Sequence, residues 1–416
     1  VLGSRGLGDV YKRQVLAPAG DMERLQAALS FGADAVYAGG TAFGMRASPK
    51  NFGEDVLKDA VAAAHKAGAK FYLTCNTLPR NDEFKKLPEF LEFAEDCAVD
   101  AFIIADMGVL QYAKKYAPKT EVHISTQAGI VNYETANFFY NMGAKRVVTA
   151  RELSIEEIAE IRAKTSPDLD IECFVHGAMC VSFSGRCLLS NYLIGRDANR
   201  GECAQPCRWK YNLVEEKRPG RFFPIDEDET GTYILNSQDM CMIEHIPELV
   251  SAGITSFKIE GRAKSAYYTA VATNAYRCAV DEFMKNPSAD FKPSPWIVEE
   301  MEKMSHRQYC TGFYFNSPHE NANIYGEGVY VRNWDVIAIA KEWKDGILTV
   351  SQRNKFYAGD TLEVLQKGKA PFSIKADEIF NKDFEPIEDA PHPMMDVLIK
   401  CPTEIEAGSI LRMVRE

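Results

Sequence analysis

No stretch of this 416-residue chain approaches the roughly 20 apolar residues that a membrane-spanning helix needs, so no membrane partner is expected. Basic residues are not in excess. Lys and Arg number 48 against 59 Asp and Glu, a net charge of −11. That excludes indiscriminate nucleic-acid binding, which leaves a basic footprint, but leaves room for a local basic groove. A Gly-x-Gly-x-x-Gly turn is missing after the first strand-like run, where Ala17-Pro18-Ala19-Gly20 stands instead. Its absence counts against an open dinucleotide-binding sheet. Gly-x-Ser-x-Gly and His-Glu-x-x-His are also missing, which removes the common hydrolase motifs. The opening VLGSRGLGDVYKRQ lacks the apolar core of a secretory signal. Residues 1–14 read as a tail outside the fold, either non-native or disordered. The 11 cysteines are odd in number, so reduced cytoplasmic thiols, some of them metal ligands, fit better than a disulfide framework.

What is present is a rhythm. Short β-rich runs fall at 15–20, 34–40, 70–76, 101–106, 121–127, 145–152, 170–177 and 255–261. Between them, segments such as Gly53–Ala67 space apolar residues for a helix (Leu57, Val61, Ala64). Ser154 with Glu157 three residues on predicts a capping box. Glycines at 32, 68, 143 and 253 stand where a helix ends and a strand begins. Eight βα units over about 250 residues predict a (β/α)8, TIM-like barrel over 15–285; an open doubly wound sheet is the alternative. The connection from His176 to Thr255 is too long for a plain loop, so an insertion occupies about 178–254, after strand 7. Residues 286–325 read as linker and helix. Residues 326–416 turn to short strands and predict a small all-β barrel.

In a barrel, chemistry belongs at the C-terminal strand ends. Those ends carry Tyr37, Asn76, Asp106, Ser125, Gln127, Arg151, Glu152, His176, Lys258, Glu260 and Arg262. Each alone is as well explained by a cap or a turn; the cluster is the signal. The insertion holds Cys180, Cys187, Cys203 and Cys207, spaced x6, x15 and x3. Thiolates so concentrated suit a soft metal. Neither pair has the x2 spacing favoured by zinc, so an iron–sulfur centre leads and zinc or free thiols remain. Residues 186–221 hold eight basic against four acidic side chains. With Arg196, Arg200, Arg208, Trp209 and Lys210 among them, this loop suits an RNA backbone and a stacked base; a solvated loop explains the charge equally well.

The strings LAPAGDMERLQAAL, ISTQAG, FVHGAMCVSFSGRCLLS and RDANRGECAQPCRW resemble peptidase family U-32, the collagenase-like proteins, and most closely its bacterial tRNA uridine 5-hydroxylase branch. The resemblance implies a barrel with a small β domain. It also implies a cluster, 4Fe-4S in type, on Cys180, Cys187, Cys203 and Cys207. The implied reaction is oxygen-independent 5-hydroxylation of the tRNA wobble uridine with prephenate as hydroxyl donor. Sister branches act on ribosomal RNA or a ubiquinone precursor; peptidase activity and a non-catalytic Fe-S RNA-binding protein are the other readings. Prephenate is a dianion, so Arg151, Lys258 and Arg262, with Asn76 and Gln127, are candidates to bind it. His176, Glu152 and Glu260 are candidates to move protons. Oligomeric state is not legible.

Overall fold

The computed structural model describes residues 13–44, 51–180, 182, 187, 189–196, 198, 202–206, 226–228, 231–233, 238–315 and 330–415. Strands β1 (Gln14–Ala19), β2 (Ala35–Gly39), β3 (Lys70–Cys75), β4 (Ala101–Ile104), β5 (Glu121–Ile124), β6 (Arg146–Val148) and β7 (Asp170–Ala178) lie side by side in parallel. Helices α1 (Met22–Ser30), α2 (Glu54–Lys66), α3 (Leu87–Asp96), α4 (Met107–Tyr116), α5 (Tyr133–Asn141) and α6 (Ile155–Ala163) connect them. Past β7 come α7 (Leu189–Ile194), a hairpin of β8 (Asp226–Asp228) and β9 (Gly231–Tyr233), β10 (Asp239–Cys241) and α8 (Ile246–Ser251). Strand β11 (Ser256–Ile259) then pairs with both β1 and β7 and closes an eight-stranded barrel.

Every strand-like run read from the sequence falls on one of these eight strands. Strand period 2 divides the side chains. Val15, Ala17, Val36 and Phe71 pack under the helices, while Leu16, Ala35, Tyr37, Tyr72, Ala101 and Ile103 cluster separately within the barrel. The capping box forms, Ser154 accepting from the Glu157 amide and Glu157 from that of Ser154. Glycines 32, 68, 143 and 253 all take positive φ, as their helix-to-strand turns require.

Two boundaries differ from expectation. β1 opens at Gln14, within the segment set aside as a tail, because the Gln14 carboxamide bonds Tyr72 and Arg146 inside the barrel. The stretch from Asp239 onward also belongs to the barrel. β10 pairs antiparallel with the end of β7, and α8 is the helix that leads into β11.

After β11 runs α9 (Ala266–Lys285), buried along most of its length. It is followed by α10 (Pro295–Glu302) and β12 (Tyr309–Cys310), which adds a parallel strand to β10. The C-terminal region is an antiparallel half-barrel of β13 (Trp334–Lys344), β14 (Ile347–Gln352), β15 (Thr361–Leu365), β16 (Phe372–Lys375), β17 (Ile379–Phe380), β18 (Pro386–Ile387), β19 (Asp396–Lys400) and β20 (Ile410–Val414). It seats on α9 and α10 through Arg412, whose guanidinium bonds Glu300, Glu363 and the Tyr267 hydroxyl. Among the described residues no helix is long and apolar enough to cross a membrane.

Candidate active site at the barrel mouth

The strand C-termini converge on one face, and each polar residue there is placed by the register of its strand. β7 and β11 run in step from Ser256 opposite Glu172 to Lys258 opposite Phe174, then slip by a bulge so that Ile259 meets His176. Four tyrosine hydroxyls take up the carbonyls around this slip. Tyr314 donates to Phe174 O, Tyr276 to Val175 O, Tyr37 to Ile259 O and Tyr268 to Glu260 O. Gly177, at φ +104°, lets β7 approach Glu260 so closely that a Cβ would stand 2.3 Å from its carbonyl oxygen.

Glu260 lies on the mouth side of this slip. Its Oε2 accepts from Tyr37 at 3.2 Å and lies 3.9 Å from the Arg151 guanidinium. Arg151 in turn lies 3.9 Å above the Phe174 ring, an arrangement that holds a cation without neutralising it fully. Arg262 reaches across Gly39 to the Thr74 hydroxyl at 3.2 Å, and a Cβ on Gly39 would collide with its guanidinium. Asn76 donates to the Gln127 carboxamide oxygen at 2.7 Å, and Ser125 donates to the same atom at 3.1 Å. Glu152 is half-buried in the turn after Arg151. Asp106 instead caps α4, accepting from the Gly108 and Val109 amides.

Lys258 is buried deeper. Its ammonium donates to Glu172 Oε1 at 2.7 Å and lies 4.4 Å from the Tyr37 ring centre. The other Glu172 oxygen accepts from Arg146 and Ser256, each at 2.9 Å. Burial alone would raise the Glu172 carboxyl, but Lys258 and Arg146 outweigh it and hold it down at about 2. His176 sits among the rings of Tyr268, Tyr276 and Tyr309 at 5.5 to 5.8 Å. Burial pushes its imidazole down to about 3, so it is neutral at neutral pH, and its Nδ1 has no hydrogen-bond partner among the described residues.

Three of the four candidate ligand cysteines are described, and they share one neighbourhood. Burial pushes the Cys180 thiol up; the Ser182 amide and Arg151 act against that, while the charges of Cys187 and Cys203 add to it. The Cys180 sulfur accepts from the Ser182 N–H, and that of Cys187 from the Leu189 N–H, both at 3.4 Å. Such donors favour thiolate, the form that binds metal. Among the described residues no three His, Cys, Asp or Glu side chains are spaced around a single metal ion. Thiolates are donors that either zinc or an iron–sulfur centre accepts. Cys207, Arg200, Arg208, Trp209 and Lys210 lie outside the described residues, and Arg196 is exposed.

Sequence reading found Tyr37 but missed Glu172 and Arg146, the ion pair beneath the mouth, and the other tyrosines around the β7–β11 slip, Tyr268, Tyr276 and Tyr314. Their only local trace was charge within otherwise apolar strands and tyrosines remote in sequence, on α9 and after β12.

Comparison with known proteins completes this description. Residues 20–324 match the model of peptidase family U32, and residues 332–412 that of the peptidase family U32 C-terminal domain. The chain is 34% identical over 403 residues to tRNA hydroxylation protein P1 of Bacillus subtilis (strain 168), covering 96% of this chain and 94% of the relative. It is 34% identical over 446 residues to tRNA hydroxylation protein P of Escherichia coli (strain K12), covering 97% of each. It is 33% identical over 364 residues to the 23S rRNA 5-hydroxycytidine C2501 synthase of the same strain, covering 86% of this chain and 53% of that protein.

Proposed function

This chain belongs to peptidase family U32, and from that premise we propose that it is a tRNA-modifying enzyme of the cytoplasm that hydroxylates the wobble uridine at C5. Prephenate is the hydroxyl donor in this reading, and an iron–sulfur cluster on Cys180, Cys187, Cys203 and Cys207 is the cofactor. The observation that carries it is Arg151 at the mouth, 3.9 Å from the Glu260 carboxylate and near enough for its charge to lower the Cys180 thiol. The relatives named for tRNA hydroxylation extend over nearly the whole chain.

The cluster, when bound, supplies electron transfer beside the mouth. Arg151 and Arg262 hold the carboxylates of the dianionic donor, and Lys258 adds its charge from beneath Tyr37. Asn76 and Gln127 orient the donor or the base. Glu260, aligned by Tyr37, and Glu152 hold or release protons. His176, neutral and enclosed by tyrosines, keeps the β7 end in place; at a pKa of about 3 it is too weak a base to do more at neutral pH. For a peptidase reading, Cys180 and His176 make a poor nucleophile and base: burial pushes the thiol up and the imidazole down. Arg196, with Arg200, Arg208, Trp209 and Lys210, contacts the RNA in this reading.

Nucleoside mass spectrometry of tRNA from a strain deleted for its own homologue tests the proposal. Supplying this gene should restore 5-hydroxyuridine, and Cys203→Ala should lower the restored level at least tenfold. Unchanged nucleosides with the intact gene would overturn the reading. Hydroxycytidine in ribosomal RNA instead would move the enzyme to the sister branch.

A further inference from the structure

The charges inside the barrel are not spread evenly. On β1 to β4 the clustered interior side chains are Leu16, Ala35, Tyr37, Tyr72, Ala101 and Ile103. On β6, β7 and β11 they are Arg146, Glu172, Ser256 and Lys258, none more than 5% exposed. The same strands end at or near Arg151, His176 and Glu260. Signs alternate up this wall. Asp170 pairs with Arg146 at 3.0 Å, Arg146 with Glu172 at 2.9 Å and Glu172 with Lys258 at 2.7 Å. Lys258 then lies by two rings, 4.4 Å from the centre of Tyr37 and 5.6 Å from that of Phe174. The Tyr37 hydroxyl donates to Glu260, and Arg151 stands over the Phe174 ring. One ammonium thus adjoins both rings on which the ion pair of the mouth is seated.

A lysine in such a place needs a reason. Apolar side chains would fill the space with no charge to desolvate, as they do on β1 to β4. Burial pushes the Lys258 ammonium down and Arg146 adds to that push, while Glu172, in contact with it, and Glu260 act the other way. Leu16, in register with Lys258 on β1, brings no charge. His123 on β5 acts on Glu172, but burial pushes its imidazole down and leaves it neutral at pH 7 and above. Tyr72, pushed up to about 12 by burial, is neutral there as well. The Glu172 charge is itself secured by Arg146 and Ser256. Without it, burial and Arg146 would both favour a neutral amine.

We propose that Glu172 is a positioning residue for anion binding at the mouth: it holds Lys258 as an ammonium beside Tyr37 and Phe174, so that the mouth keeps a third cation alongside Arg151 and Arg262 and prefers a dianionic donor to a monoanion. Lys258 acts through its field and touches no ligand. The inference rests on the reading of the mouth as the pocket of a dianionic donor. It deepens that reading by naming the pair of residues that sets the preference for two charges.

The test is calorimetric binding of prephenate, a dianion, and phenylpyruvate, a monoanion, to the full-length, anaerobically purified protein at about pH 7 to 8. Two buffers of different ionisation heat count the protons taken up. Attraction scales with ligand charge, so the factor lost by a dianion is the square of that lost by a monoanion. Lys258→Met leaves Glu172 bonded to Arg146 and Ser256. It should weaken prephenate about tenfold and phenylpyruvate about threefold. Glu172→Gln should make prephenate affinity fall as pH rises, with up to about one proton taken up per donor, because the arriving anion recharges a neutral lysine. Wild type and Lys258→Met should take up none, and Glu172→Asp, which keeps the charge, should remove the uptake. Variants that only melt earlier, with the affinity ratio and the proton count of wild type, overturn the proposal and leave the hydroxylase reading standing. If Glu172→Gln does not fold, Lys258→Met decides, and an unchanged ratio overturns the proposal. A wild type that binds neither acid ends the donor reading and this inference together, while 5-hydroxyuridine formation in the deletion strain still judges the tRNA reading.

Discussion

The barrel and the half-barrel fill their interiors with opposite chemistry. Beneath the mouth, the barrel encloses Arg146, Glu172 and Lys258, with Ser256, Gln14, Tyr72 and His123 around them. The half-barrel encloses Leu348, Val350, Phe356, Val364 and Leu411. Among its described residues Arg412 is the one buried charge, and it turns outward to join the half-barrel to α9 and α10. Charge taken out of water is costly unless each ion finds a partner of good geometry. A closed parallel barrel fixes its strand registers on both sides and can meet that demand. The difference sets the sheet that holds the candidate site apart from the one that does not.

Three measurements test this contrast. The largest effect belongs to Glu172→Gln, which strips the buried Lys258 of its ion-pair partner and leaves Arg146 only the half-exposed Asp170. A loss of about 3–5 kcal/mol is expected from thermal or denaturant unfolding. The same variant should flatten the acid limb of stability. With its carboxyl at about 2 in the fold against an ordinary 4.5, Glu172 contributes stability that is present above pH 4.5. That contribution, about 3 kcal/mol, is lost as pH falls toward 2. A melting temperature within a degree of wild type would mean that the interior ions do not hold the barrel.

Next comes Leu348→Ala, inside the half-barrel. Leu348 is fully buried, and its truncation should cost about 3 kcal/mol through the apolar area given up and the cavity left behind. That cost should be the same at pH 5 and pH 8, since burial pushes up the thiol of Cys401, which shares that interior, and keeps it protonated over this range. A pH-dependent cost would erase the contrast.

His176→Phe should show the smallest effect and the most specific one. A histidine at about 3 in the fold and 6.5 when unfolded contributes stability present above pH 6.5 and lost as pH falls toward 3. Wild type should lose about 2 kcal/mol from this source between pH 6.5 and 5, and the phenylalanine variant should not. Equal acid sensitivity in the two would show that the imidazole is not the group responsible.

Most of the barrel was legible because its cause is local. Alternating apolar residues mark the strands, and the capping box at Ser154 and the glycines at 32, 68, 143 and 253 mark where helices start and stop. The mouth was legible in outline, since polar residues ending apolar strands stand out. What was illegible depends on neighbours remote in sequence. Glu172 meets Lys258 only through the β7–β11 register, and Tyr276 reaches Val175 only through the packing of α9. Asp106 shows the converse: a strand-end carboxylate that local geometry uses as a helix cap. Gln14 fell on the wrong side of a boundary because its reason to be ordered, the bonds to Tyr72 and Arg146, lies across the barrel.

Helix α9 has one more consequence. It packs against α1 and β1 on one side, and on the other Asn274 accepts from the Gly368 amide of the half-barrel. A ribosome delivers α9 well before the strands that cover it. For that interval the nascent barrel carries an uncovered helix face. A chain that stopped before the half-barrel would leave that helix face bare to water.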